Sequence, residues 1–263
     1  MPANDSEREA GVAAWARRMW RPLLAELVAT ALLVLLGIAA MLPACKEEQG
    51  LRSCEKMPLT HPALAFGFVV LANVEAFGPV SGAHMNPSVT LAAVLYRQIP
   101  LLTGVGYVVA QMFGATIGFA FLRLLYEEAE SAGGTTAGTV TPLAAAGVEA
   151  LLTGVLALVC CAVWSAHEEG KHDPTVSIKF GITVAGLVYA GGEMSGASLN
   201  PARSLAPALV QGNFRHDHWV YWVGPLGGSA LATLLYRFVL RPRRAPPTPV
   251  AESLPLNDKR DLP

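Results

Sequence analysis

The stretch SGAHMNPSV at residues 81–89 returns as SGASLNPAR at residues 195–203, aligned without a gap at an offset of 114 residues. The same offset carries Tyr107 onto Tyr221 and Gly114 onto Gly228, so the segments following each Asn-Pro pair correspond as well. Upstream, Glu26 and Thr30 match Glu149 and Thr153, each a Glu-x-x-x-Thr step among apolar residues. The chain is therefore two copies of one unit. A lone Asn-Pro-Ser is usually a turn; two Asn-Pro pairs, each after Ser-Gly-Ala in equivalent repeats, are not explained that way.

Around these motifs lie six long apolar stretches, near 22–43, 61–78, 101–125, 142–165, 176–193 and 218–240. Each is roughly 20 residues, the length a helix needs to cross about 30 Å of hydrocarbon. A shorter apolar segment begins at each Asn-Pro pair and cannot span. Composition agrees: 52% hydrophobic and 15% charged residues over 263 positions, with mean hydropathy +0.41, are too apolar for an ordinary soluble domain. The first stretch is longer than a signal-peptide core and lacks a small-x-small cleavage site, so it is read as a retained helix. A net charge of −1 offers no basic excess, and nucleic acid is not an expected partner. The sequence holds no organised nucleophile and base, phosphate loop or metal-ligand spacing, so no enzyme, cofactor or metal site is expected.

Three spans per unit is an odd number, which sets the copies in opposite orientations about an in-plane pseudo-twofold axis, with the short segments entering from opposite faces. Non-helical backbone at membrane depth persists only where it is buried in protein or lines a wet cavity. Pro87 and Pro201 suit the first turn of a helix, and Asn86 and Asn200 suit its N-cap. If the two half-helix N-termini meet, their partial positive charges and the Asn amides converge on one point of a path. Cations are repelled there. A water accepting from the Asn donors cannot keep its place in a proton-conducting chain.

SGAHMNPSVTLA, SLNPARSLAP and HWVYWVGP resemble the matching motifs of the aquaporin (major intrinsic protein) family, and the likeness runs through essentially all of 20–240. It implies an all-α membrane fold of six transmembrane helices and two re-entrant half-helices in an inverted repeat. It also implies a homotetramer in a lipid bilayer, each protomer holding its own pore for water and small neutral solutes. The channel domain is 20–240, with repeats at about 20–126 and 142–240, between an N-terminal tail at 1–19 and a Pro-rich C-terminal tail at 241–263. By the same resemblance Asn86 and Asn200 are the central donors of the motifs Asn86-Pro87-Ser88 and Asn200-Pro201-Ala202, and Ser88 replaces a commoner Ala. Arg203 falls at the outer constriction with Phe66, Val188 and Ala197; its alternatives are a buried ion pair or a snorkelling side chain. Water-type relatives typically carry His where Val188 stands. Ala197 is not the Cys through which mercurials usually block the family. Ser204, where glycerol-conducting relatives usually have Asp, joins Ala208, Tyr221 and Trp222 in a water-selective pattern. Val188 and a likeness to the aquaporin-8-like subgroup point also to hydrogen peroxide or ammonia, although Phe66 departs from that subgroup's His.

Glu26 and Glu149 have two readings: proton-coupling carboxylates of a transporter, or acceptors for free N–H groups of the broken segments, which the resemblance favours. His84 is either a hydrogen-bonding residue near the inner mouth or a packed imidazole. Cys45 and Cys54 in the first outer loop are a disulfide or two free thiols, which spacing does not decide. Arg17, Arg18 and Arg21 before the first span, with Arg237, Arg241, Arg243 and Arg244 at the last, put both termini in the cytoplasm, of a multi-pass protein of the plasma or an intracellular membrane. The rivals are a secondary transporter and a nonconducting junction or assembly protein of the same fold.

Overall fold

The computed structural model describes residues 5–48, 51–126, 139–168, 170 and 173–242. The first unit comprises α1 (Asp5–Ala39), α2 (Thr60–Ser81), the short α3 (Pro87–Tyr96) and α4 (Leu101–Leu125). The second repeats the order with α5 (Pro142–Glu168), α6 (Val176–Ser195), the short α7 (Pro201–Gln211) and α8 (Val220–Leu235), closed by a π-helical turn, Tyr236–Leu240. Helices α1 and α4 pair within the first unit and α5 and α8 within the second, while α2 packs on α6 across the units.

Small residues set these crossings. A Cβ at Gly114 would lie 2.2 Å from the Leu27 carbonyl oxygen, and one at Gly228 would lie 1.9 Å from that of Ala150. Gly67 and Gly181, again 114 apart, face each other's carbonyls where α2 meets α6. Lipid tails are as apolar as leucine, so close backbone approach rather than hydrophobic burial drives such helices together. Leucine, valine and phenylalanine side chains such as Phe113, Leu151 and Leu231 are accordingly left exposed on the outside.

Five helical segments are long and apolar enough to cross a membrane by length and composition: Ala14–Ala39, Thr60–Ser81, Leu101–Leu125, Pro142–Glu168 and Val220–Leu240. The remaining stretch read from the sequence, 176–193, forms α6, whose 20 residues have the length but are diluted by Lys179, Glu193 and four glycines. Helix α1 begins well before the apolar stretch at 22–43 and ends at Ala39. It is 35 residues long and continuous from Asp5, so the described part of the tail at 1–19 is helix; Ala14, Ala16, Arg17 and Arg18 are good helix formers, and Pro22 lies inside the helix without ending it. The loop after α1 is instead a hairpin, β1 (Ala44–Glu48) antiparallel to β2 (Leu51–Glu55), with Cys45 opposite Cys54 and the two joined as a disulfide. Residues 127–138, between α4 and α5, and the tail beyond 242 lie outside the described residues.

Gly228→Val is expected to lower the thermal unfolding midpoint of the solubilised protein, or to abolish folded protein, through overpacking of about 1–3 kcal/mol. Gly227→Ala, where a Cβ meets nothing within 4 Å, is the control. Thermal melting and size-exclusion profiles of the two variants check this.

Candidate functional site: two re-entrant loops around one cavity

Each half-helix starts at its Asn-Pro pair. Asn86 is extended and its side-chain oxygen accepts from the Ser88 N–H; Asn200 is extended and accepts from Ala202 and Arg203. Proline at the first helical position loses no hydrogen bond, because that N–H has no partner in a helix anyway. The remaining Asn atoms tie the repeats together. Asn86 Nδ2 donates to the Leu199 carbonyl at 2.8 Å, and Asn200 Nδ2 donates to the Met85 carbonyl at 2.8 Å. A primary amide carries two N–H donors, so each Asn keeps one for the cavity that both line.

The loops leading into these helices are strained. After Gly82 and Gly196, both at φ 89°, the non-glycine residues Ala83, Met85, Ala197 and Leu199 all sit at positive φ, a conformation costing about 1–3 kcal/mol each. Two buried carboxylates hold them there. Glu26 accepts from Ser81 Oγ, His84 N, Met85 N and Gln111 Nε2, all between 2.7 and 2.8 Å. Glu149 accepts from Ser195 Oγ, Ser198 N and Leu199 N, each at 2.8 Å. Tyr107 and Tyr221 complete the pairing, donating to the Ser81 and Ser195 carbonyls at 2.9 Å. Both carboxylates thus have their oxygens occupied by loop donors. Thr30 and Thr153 turn back on the Glu26 and Glu149 carbonyls.

A cavity of about 690 Å³ runs past both loops. Asn86, Asn200, Phe66, Val188, Ala197 and Arg203 all line it. The Arg203 guanidinium carbon lies 5.5 Å from the centroid of the Phe66 ring, and Nη2 donates to Met41 Sδ at 3.2 Å. Its alternative as half of a buried ion pair is not what is seen: among the described residues no carboxylate pairs with it. At the other end, by the α5–α6 connection, His167 and Asp173 line the cavity. Bonds from Lys179 and from the Thr175 side chain and backbone hold the Asp173 carboxyl well below the usual carboxylate range, so it is charged at neutral pH.

The other residues singled out in the sequence have clear places. His84 lines the cavity; its Nδ1 lies 3.2 Å from Thr90 Oγ1 and its ring packs edge-on against Tyr107. Ser204 Oγ bonds Ser198 Oγ, Ala208 is buried, and Trp222 is half-buried. The Ser88 backbone carbonyl accepts from Ser229 at 2.6 Å, while its own hydroxyl is buried without a partner among the described residues.

The contacts of three residues escape the sequence reading. Gln111 bridges Glu26 and Thr90, and its counterpart at the repeat offset is Pro225, so symmetry does not signal it. Arg123 Nη1 donates to the Val210 carbonyl at the end of α7, and Arg237 Nη1 to the Leu95 carbonyl at the end of α3. These two arginines are also 114 apart. Each caps the negative end of the other repeat's half-helix, where a cation is favoured.

The fold and site together define a multi-pass membrane protein with two oppositely entering half-helices around a continuous cavity. The chain belongs to the family described as Major intrinsic protein, whose model matches residues 14–236. It is 40% identical over 229 residues to Aquaporin-2 of Bos taurus, covering 84% of this chain and 79% of that one. It is 37% identical to the lens fiber major intrinsic protein of Ovis aries, with 85% and 82% covered, and 35% identical to Aquaporin-4 of Mus musculus, with 87% and 70% covered. The solved aquaglyceroporin from Plasmodium falciparum superposes with TM-score 0.70 at 23% identity, over 84% of this chain and 96% of that one, a likeness of fold. As a member of this family the protein is a passive membrane channel and not an enzyme.

Replacing Glu149 by Gln leaves a single side-chain oxygen where Ser198 N and Leu199 N now use two. An orphaned buried N–H costs about 1–3 kcal/mol, so Glu149→Gln is expected to speed hydrogen exchange at Ser198 and Leu199 by tenfold or more. Peptide-level exchange mass spectrometry reads this directly.

Proposed function

We propose that the protein is a channel for water that excludes protons and ions, with Asn86 and Asn200 as the central donors and Arg203 as the cation of the narrowest point. The observation that carries this is that each Asn amide keeps one N–H for the cavity after bonding the opposite loop. A water crossing there accepts from the two amides and turns its own hydrogens away along the path, which breaks a proton wire. The inward N-termini of α3 and α7, with Arg203 beyond them, repel cations. Occupied carboxylates at Glu26 and Glu149 speak against a proton-coupled transporter.

Phe66, Val188, Ala197 and Arg203 form the filter in this reading. Val188 supplies no hydrogen-bonding group, so small neutral solutes such as hydrogen peroxide and ammonia pass with water. Ser204, Ala208, Tyr221 and Trp222 keep the water-type pattern. The relatives described above give the aquaporin-8-like placement no support, and water is the principal solute. The protein works as a homotetramer with both termini in the cytoplasm of a plasma or intracellular membrane, on the strength of the family and of the arginines flanking the first and last spans.

Stopped-flow shrinkage of proteoliposomes is the test: water flux is expected well above empty vesicles, with low activation energy and no proton leak. Flux no greater than in empty vesicles from well-folded protein would overturn the reading in favour of a nonconducting role, and saturable, gradient-coupled flux would favour a transporter. Val188→His is expected to cut peroxide and ammonia flux more than water flux. Ala197→Cys is expected to confer mercurial block at the constriction, whereas block of the unaltered protein would trace to Cys160, which lines the cavity, and would vanish in Cys160→Ser.

A further inference from the structure

Arg203 is 3% exposed and carries a full charge, yet its described partners are few. Among the described residues its Nη1 is buried with no hydrogen-bond partner, Phe66 offers only a ring, and its side chain makes one hydrogen bond, the 3.2 Å contact from Nη2 to Met41 Sδ. Met41 is half-buried and not part of the cavity wall that Arg203 lines. The sulfur thus holds the guanidinium from a residue outside the cavity lining.

Met41 is itself fixed from two sides. It sits on the turn that ends α1, its N–H donating to the Ile38 carbonyl at 2.8 Å, and it packs against the core cluster containing Phe66 and Val188. Three residues later the disulfide-closed hairpin begins at Ala44. A long arginine side chain has much rotamer freedom to lose, and a thioether is a weak acceptor, so this contact is a weak hold on the guanidinium. Without it Nη2 has no acceptor among the described residues. The nearest remedy is water in the cavity, which means turning the guanidinium into the path.

We infer that Met41 is a positioning residue of the constriction, whose sulfur keeps Arg203 against the wall and so sets how much of the path is open. The inference rests on the reading of Arg203 as the constriction's cation. It assigns the end of α1 a part in selectivity, with the acceptor strength at position 41 as the variable.

The test uses the full chain in proteoliposomes, with water and urea permeability measured for Met41→Leu, Met41→Gln and Arg203→Ala, and Met41→Leu repeated in the Arg203→Ala background. Leu keeps the volume and removes the acceptor; Gln restores one at similar reach. Met41→Leu is expected to lower water permeability about three- to tenfold, the scale of one hydrogen bond's net worth. Met41→Gln is expected to recover it, and Met41→Leu to change nothing once Arg203 is Ala. Equal loss in both backgrounds would overturn the inference, since the effect would then be general packing; so would Met41→Leu at wild-type flux and urea-to-water ratio while Arg203→Ala changes that ratio. If Arg203→Ala itself leaves the ratio unchanged, the constriction reading fails first and takes the inference with it.

Discussion

Two carboxylates buried among apolar helices organise this protein. Glu26 and Glu149 are fully buried, and placing a charge at such depth is unfavourable unless its oxygens are met by donors. The donors are the backbone N–H groups of two loops that would otherwise be orphaned where water is scarce. Each side of the arrangement relieves the other. The loops adopt four non-glycine left-handed conformations because the carboxylates demand that the N–H groups converge. With the loops so turned, Asn86 and Asn200 arrive at the cavity as helix caps and as links between repeats.

The rest of the molecule serves that geometry from outside. The glycine crossings bring α1 against α4 and α5 against α8 closely enough for Glu26 and Glu149 to reach their loops. Arg123 and Arg237 pin the far ends of the half-helices from the opposite repeat, so each short helix is secured at both ends. A short helix is marginal by itself, and these end contacts replace the length it lacks.

Much of this is legible in the chain because the repeat advertises it. An offset of 114 residues aligns the Asn-Pro loops, Tyr107 with Tyr221, and the glycines of the crossings. Six residues picked from the sequence, Phe66, Asn86, Val188, Ala197, Asn200 and Arg203, fall on one cavity. What is not legible breaks the repeat or reads as something else. Gln111 faces Pro225 at the offset and so has no echo. Arg123 and Arg237 do echo, but basic residues at helix ends read first as interfacial anchors. The β1–β2 hairpin is polar and short, without the alternation that marks a strand, and its closure depends on Cβ positions that spacing does not give. Met41 is one apolar residue among many at the end of α1, and only the fold reveals which atom it faces.

The Asn contacts also impose an order of assembly. The Asn86 amide bonds the carbonyl of Leu199, 113 residues further along the chain. A ribosome adds about 5–20 residues per second, so the first loop waits on the order of ten seconds before its partner exists. Over that interval the Asn86 amide has no second loop to bond. The bond between the two loops can therefore close only once the second half of the chain has been made, and until then the polar tip of the first must find other partners.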